Sequence, residues 1–434
     1  MTADQIITLT VLFAVVAALI MDRLRADVVA LAGAAVLLMT GAVRPSEVQG
    51  AFASPAIIAL ASLFVIVYAI ELSGLLDRLI ELAVVMCRRI GAVGLWLLIF
   101  ISGAASAFLN NTPIVVLGAP VVRDTAETLG LSAKRFLIPL SYMAILGGSC
   151  TLIGTSTNLL VSDMARLAGQ PTFGLFEITP VGLCIAASGA IYLLLFSGKL
   201  IRSDSDRKPD AIEHDWEHST AGAQVGAPEA FAVRRPLDGR RAAITVIVFA
   251  AVIAAAALNI APIAASAFAG AVLLILMRTI TADEAYQGLR PDILLLIAGM
   301  VVLGIAVEES GLATEATDWL VSGARPLGPL AALALFYGAT LFLTEALSNA
   351  TVAVLVTPVA VALAENLGVS PRPFIVAVMM AASAAFATPF GYQTNVLVYQ
   401  IGGYSYMDFV RVGLPLNFIT WGVGLAAITY FFPF

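Results

Sequence analysis

Apolar runs close to 20 residues long succeed one another along almost the whole chain, separated by short charged, Gly-rich or Pro-bearing stretches. A helix needs about 20 apolar residues to cross a bilayer. The pattern predicts spans at about 4–21, 27–43, 54–72 and 175–198, and again at about 241–258, 261–278, 292–309 and 413–432. Between 74 and 90 the pattern changes. Asp77, Arg78, Glu81, Arg88 and Arg89 are interleaved with leucines and valines, which suits an amphipathic helix lying in the membrane interface. A second such helix is expected near 312–322. Residues 199–240 are polar, charged and interrupted by Gly and Pro, and read as a poorly ordered linker between two halves.

Four stretches break the apolar pattern from within. Residues 102–122 (SGAASAFLNNTPIVVLGAPVV) carry Ser106, Asn110, Asn111, Thr112 and Pro113 at their middle; residues 341–360 (LFLTEALSNATVAVLVTPVA) carry Thr344, Ser348, Asn349 and Thr351. Such turns are tolerated at membrane depth only when buried in protein or lining a cavity. Each reads as the tip of a hairpin that enters and leaves on one side, at about 92–122 and 327–360. The apolar runs 136–163 and 373–398 are interrupted by GGSCTLIGTSTN and ATPFGYQTN. So many Gly and hydroxyl residues make a poor helix, so each reads as a broken span with an unwound centre.

The halves say nearly the same thing twice. Ser106 pairs with Thr344, Asn111 with Asn349 and Pro120 with Pro358. Gln49-Gly50 pairs with Gln287-Gly288, and Ser73-Gly74-Leu75 with Ser310-Gly311-Leu312. Gly154, Thr157 and Asn158 pair with Gly391, Thr394 and Asn395. So many matches in one order mark an internal duplication. Five spans per half is an odd number, so the halves must insert with opposite topology. Placing the N-terminus outside puts nineteen of the 23 Lys and Arg in the cytoplasm and leaves only Arg44, Arg166, Arg325 and Arg372 outside, as the positive-inside rule prefers. The expected fold is an all-α polytopic membrane protein of two inverted-topology repeats, 1–198 and 241–434. Each holds five transmembrane helices, one re-entrant hairpin and one broken helix. The linker 199–240 is expected to be cytoplasmic.

Composition agrees: 60% of the 434 residues are hydrophobic, 12% are charged, and mean hydropathy is +0.97, against about 25% charged in soluble domains. The first run has no basic region before it and no small-residue cleavage site after it, so it reads as a span, not a signal peptide. Net charge of −6 argues against nucleic acid as partner. Cys87, Cys150 and Cys184 stand alone in apolar context, which suits neither a disulfide framework nor a metal site. His214 and His218 share an i, i+4 spacing in HDWEH. Asp215 stands where a zinc-protease helix needs Glu, and no third ligand is evident, so a solvated loop is the better reading. No nucleophile motif or phosphate-binding loop points to an enzyme.

The polar tips suggest ion chemistry. Helix N-termini offer unpaired N–H groups and partial positive charge, suited to an anion. Carbonyls and the oxygens of Ser, Thr and Asn suit a hard cation such as Na⁺. Ser106 lies four residues before Asn110, and Thr344 four before Ser348, so each hairpin offers a hydroxyl below its tip and an Asn at it. The loops from Gly154 to Asn158 and from Thr388 to Asn395 would close two cages. No Lys or Arg lies in these elements near the tips, so a buried anion would be neutralised by co-bound cations and backbone dipoles. The competing reading makes these residues polar glue between helices; it accounts for one Asn-centred turn better than for two, each with its own broken span. Glu345 has no counterpart in the first half, where Ala107 stands. It reads as a structural acid bonded to backbone N–H groups in the hairpin, with a proton carrier as the alternative. Glu71 and Glu308, beside the repeated Ser-Gly-Leu, read as helix-end markers.

Asn110-Asn111-Thr112, Ser348-Asn349-Ala350, GGSCTLIGTSTN and ATPFGYQTN resemble the divalent-anion/sodium symporter family, within the citrate-transporter-like ion transporter superfamily. The likeness covers nearly the whole chain. Members carry Ser-Asn-Thr at both tips; this chain departs at Asn110 and Ala350, although Thr351 follows directly. The resemblance implies a homodimer in which a mobile transport domain moves against a static scaffold as an elevator. It implies one Na⁺ near Ser106, Asn110, Asn111, Gly154 and Asn158. A second is implied near Thr344, Ser348, Asn349, Pro389 and Asn395. The anion would lie between the tips, near Asn110, Asn111, Thr112, Ser348, Asn349, Thr351 and Thr388. No organic cofactor is implied. The tail from Thr388 onward, TPFGYQTNVLVYQIGGYSYMDFVRVGLPL, looks like the branch with sulfate transporters. Sulfate is the first expected substrate, and a C4-dicarboxylate or citrate the second. A bacterial inner membrane, with both termini outside, is the expected location. An arsenite-type or H⁺-coupled permease and, from another class, a non-transporting membrane subunit remain alternatives.

Overall fold

The computed structural model describes residues 2–21, 24–75, 77–79, 82, 90–201, 236–312 and 328–434. Most of the two expected interfacial helices and of the linker, with Cys87, His214 and His218, lies outside these residues. Every element among them is helical. The first half contains α1 (Ala3–Met21), α2 (Ala26–Thr40), α3 (Pro45–Phe52), α4 (Pro55–Leu72), α5 (Ala92–Ser106), α6 (Asn111–Thr128), α7 (Lys134–Gly148), α8 (Ser156–Leu167) and α9 (Thr179–Tyr192, continuing through a π-turn at Leu193–Ser197). The second half contains α10 (Gly239–Ala257), α11 (Ile263–Leu276), α12 (Ala282–Gly288), α13 (Pro291–Glu309), α14 (Gly328–Leu343), α15 (Asn349–Asn366), α16 (Arg372–Ala382), α17 (Gln393–Gly402) and α18 (Tyr406–Phe431). Among the described residues, Pro45–Leu72, Thr179–Leu200, Gly239–Ala257, Pro291–Glu309, Asn349–Asn366 and Tyr406–Phe431 are long and apolar enough to cross a membrane.

Two short helices, α3 and α12, go beyond the sequence reading. Each precedes a long span and starts with a carboxylate reaching back to its own first turn. In α12, Thr281 Oγ1 accepts from Glu284 N (3.2 Å) and Glu284 Oε2 accepts from Thr281 N (2.8 Å), a capping box. In α3, Glu47 accepts from Arg44 N at 2.8 Å. The last span begins at Tyr406, not near 413. Asp408 caps it by accepting from Ser405 N (2.9 Å), and the helix runs on through Pro415.

The helices sort into two sets by their packing. α1–α4 pack with α10–α13: α2 lies along α13, and α4 along α11. α5–α9 pack with α14–α18: α9 lies along α18, α6 against α17 and α15 against α8. The sets meet where α13 touches α15 and α8, and where α4 touches α8. Residues at matching positions repeat their contacts. A methyl built on Gly33 of α2 would meet Val15 of α1 and Leu303 of α13; one built on Gly270 of α11 would meet Val252 of α10 and Ile66 of α4. Small residues at such crossings let helices approach closely where lipid gives no hydrophobic drive. The tightest approach joins α5 to α7, where any side chain on Gly147 would overlap the Gly103 backbone.

The second set is also tied across the halves at its ends. Arg372, at the start of α16, donates to Glu177 (2.6 Å) and to the Pro171 carbonyl (2.6 Å), and its guanidinium lies 3.7 Å from the Phe173 ring centroid. At the start of α7, the Lys134 carbonyl accepts from Tyr404 Oη, and the Lys134 ammonium lies 5.9 Å from the Tyr404 ring. Each broken helix is thus held by the loop before the last helix of the opposite half.

Candidate functional site

The breaks between α5 and α6 (residues 107–110) and between α14 and α15 (344–348) carry the tip residues. Pro113 sits in the first turn of α6, where its missing N–H costs no intrahelical bond. Asn110 caps α6 by accepting from Thr112 N (3.3 Å), and Ser348 caps α15 by accepting from Thr351 N (3.2 Å). Thr351, fully buried, has its hydroxyl 2.7 Å from that of Ser348. The hydroxyl below each tip bonds to the tip amide: Ser106 Oγ donates to Asn111 Oδ1, and Thr344 Oγ1 lies 2.9 Å from Asn349 Oδ1. Gly148 makes room for the first of these amides, since a methyl there would stand 2.6 Å from Asn111 Oδ1.

Asn158 and Asn395 stand in the first turns of α8 and α17, just past the α7–α8 break (149–155) and the α16–α17 break (383–392), which carry Gly154, Thr388 and Pro389. Each break is fastened to its own hairpin by a threonine. Thr151 Oγ1 accepts from Gly154 N (3.1 Å) and donates to the Ala107 carbonyl. Thr388 Oγ1 accepts from Gly391 N (3.1 Å) and donates to the Glu345 carboxylate (2.9 Å). Each is also spanned by an asparagine. Asn158 Nδ2 donates to the Thr151 carbonyl (2.9 Å), and Asn395 Nδ2 to the carbonyls of Ala385 (2.9 Å) and Thr388 (3.3 Å). Asn395 Oδ1 accepts from Ser141 (2.7 Å), whereas Asn158 Oδ1, wholly buried, has no donor among the described residues. Pro389 is buried in the second break. Both breaks rest on glycines of the following long helix: Gly182 of α9 faces Ser149 and Cys150, and Gly413 of α18 faces Phe386 and Ala387.

Glu345 explains how the two breaks differ. In the first, Ser149 N and Cys150 N stay in turns, bonded to the carbonyls of Ile145 (3.2 Å) and Gly147 (3.0 Å). In the second, Phe386 N (2.9 Å), Ala387 N (2.7 Å) and Thr388 N (3.0 Å) all donate to Glu345, joined by Asn417 Nδ2 (2.7 Å). The sequence reading placed these N–H groups in the hairpin; they belong to the α16–α17 break, which unwinds further and needs an outside acceptor. All five partners, counting the Thr388 hydroxyl, are donors, so the carboxylate serves as acceptor only.

The hairpin of the first half also reaches the break of the second. Asn111 Nδ2 donates to Tyr392 Oη (2.7 Å) and Thr112 Oγ1 to Gln393 Oε1 (3.2 Å). Tyr392, Gln393, Thr151 and Asn417 were not singled out by sequence reasoning. Thr151 had a signal in its match to Thr388, but the reach of Tyr392 and Gln393 across the halves is visible only in the fold. The assembled cluster is rich in hydroxyl, amide and backbone oxygens, and no Lys or Arg falls in 102–122, 147–158, 341–360 or 383–398. Such a surface suits hard cations and, at its helix N-termini, an anion.

Comparison with known proteins agrees with a transport protein. The crystal structure of the YdaH transporter of Alcanivorax borkumensis superposes with a TM-score of 0.60 over 88% of this chain and 86% of that one, at 14% identity, a likeness of fold. An uncharacterized transporter of Synechocystis sp. is 28% identical over 95% of both chains. Sodium/sulfate cotransporter 1 of Chlamydomonas reinhardtii is 44% identical, over 24% of this chain and 12% of that protein. The profile of the citrate transporter family, CitMHS, matches residues 16–366 and 346–434. The chain is therefore a membrane transporter, not an enzyme, and belongs to the citrate transporter family.

Proposed function

We propose that the protein is a secondary active transporter that couples the movement of a divalent anion, sulfate first, to Na⁺. The observation that carries this reading is the paired, oxygen-rich set of helix breaks with no basic side chain in them. An anion held there needs cations beside it. In each hairpin the hydroxyl and the tip amide oxygen already meet; turning the hydroxyl proton aside would aim both oxygens at one cation. Asn158 Oδ1, buried without a donor among the described residues, adds an electron-rich point to the first cage. The cotransporter names among relatives that share part of the chain support sulfate and sodium. The family description keeps citrate or a C4-dicarboxylate as the second reading. Movement of α5–α9 with α14–α18 against α1–α4 with α10–α13, in a homodimer, is the transport motion we favour, because the two sets meet over few helices.

Uptake into proteoliposomes tests this reading. Labelled sulfate uptake is expected to rise sigmoidally with external Na⁺, since two cages are proposed. Uptake of neither sulfate nor succinate with any Na⁺ gradient sinks it. The halves are proposed to insert oppositely, with the termini outside and the linker cytoplasmic. A single cysteine at Ser219, in a cysteine-free background, is then expected to resist membrane-impermeant maleimide added to intact cells. Labelling from outside reverses the orientation.

A further inference from the structure

The fold packs α6 against α17, with their first residues bonded to each other, and α15 against α8 at the matching positions of the other half. Matching positions at the two junctions carry different side chains. At the first, the amide of Asn111 is engaged at both ends, its oxygen by Ser106 and its nitrogen by Tyr392, while Thr112 is bonded to Gln393. Asn111 and Thr112 are 1% and 5% exposed. At the second junction the corresponding residues are Asn349, Ala350, Thr155 and Ser156. The Ala350 methyl makes no hydrogen bond, and the Thr155 hydroxyl accepts from Thr157 N on its own helix (3.4 Å). Asn349 is half-buried and Ser348 exposed. One copy of the junction is stitched by two long side chains; the other carries short ones and is the more open, with Asn349, Ala350 and Ser156 half-buried and Thr155 buried.

We propose that Tyr392 and Gln393 are specificity-determining residues. They close the first junction, so the anion is held at the second alone, by the N-termini of α15 and α8 with the Asn349 amide and the Ser156 hydroxyl. A tetrahedral oxyanion gathers its charge within one cluster of donors and fits there. A dicarboxylate spreads its charge over two separated groups and needs donors at both junctions, one set of which Tyr392 and Gln393 already consume. This inference rests on the anion-transport reading and names the substrate class within it.

The test uses purified full-length protein in Na⁺ buffer, with thermal unfolding followed against increasing sulfate or succinate. Sulfate is expected to stabilise the wild type and succinate to have little effect. Tyr392→Thr combined with Gln393→Ser copies the open junction. This variant is expected to respond to succinate at concentrations tenfold or more below those the wild type needs. A folded double variant that binds sulfate and still excludes succinate as the wild type does overturns the inference and leaves the transport reading standing. A wild type stabilised by neither anion overturns both. If the double variant does not elute as folded protein, the reciprocal pair Thr155→Tyr with Ser156→Gln decides. Closing the open junction is expected to abolish sulfate stabilisation, and its persistence in that variant overturns the inference.

Discussion

Glu345→Ala is expected to abolish anion uptake and to lower the unfolding temperature by several degrees. The change removes the acceptor for three consecutive backbone N–H groups, the Asn417 amide and the Thr388 hydroxyl at once. Leaving a buried donor unsatisfied costs about 1–3 kcal/mol. Even with water reaching part of this half-buried site, the loss is on the order of 4 kcal/mol. Alanine works at position 107 because the first break keeps its own turns; the second break has no such turns to fall back on. Glu345→Gln is expected to be nearly as damaging, since either placement of its NH₂ points donors at donors. Thermal unfolding in detergent and uptake in proteoliposomes read both effects. A Glu345→Gln protein of wild-type stability whose uptake has lost its response to an imposed pH gradient would make this residue a proton carrier instead.

Asn349→Asp is expected to abolish uptake while the protein still folds, and Asn349→Ala to weaken apparent anion affinity tenfold or more. The tip amide offers an oxygen to a cation and N–H groups to the anion. Aspartate keeps the oxygen, removes the donors and sets a second negative charge beside the substrate. Alanine removes both groups; a tenfold loss corresponds to about 1.4 kcal/mol, close to the lower end of what one hydrogen bond to a charged group contributes. Asn349 is half-buried and its amide oxygen meets Thr344 of its own hairpin, so little packing is lost with the side chain. Asn111→Ala differs in kind, because it also cuts the link to Tyr392, and a stability loss is expected there as well. Asn349→Ala with wild-type affinity would return the tip residues to a role as polar glue.

The long helices are legible because an unbroken apolar run of about 20 residues is stable in few settings besides a bilayer. The helical breaks fall on the polar residues that interrupt those runs, which single residues such as Asn110 and Ser348 make conspicuous. The short helices α3 and α12 leave little trace because seven or eight residues carry little periodicity, although Thr281 and Glu284 spell out a capping box. Gly182 and Gly413 give no warning of their part. One glycine in an apolar helix looks like another until the neighbouring break is placed against it. The role of Glu345 is half legible: its isolation in an apolar run marks it as bonded, but the donors come from a break some 40 positions onward. Tyr392 and Gln393 look like ordinary loop residues because their partners lie in the other half of the chain.

That last arrangement sets an order on biosynthesis. Asn111 and Tyr392 are separated by 281 positions. At 5–20 residues per second, the ribosome needs on the order of tens of seconds to supply the partner after the first tip has been made. Until then, among the described side-chain partners of the Asn111 amide, Ser106 alone has been made. A nascent chain that ends before α17 therefore lacks the partner that completes the first tip, so this junction forms only after most of the second half has been made.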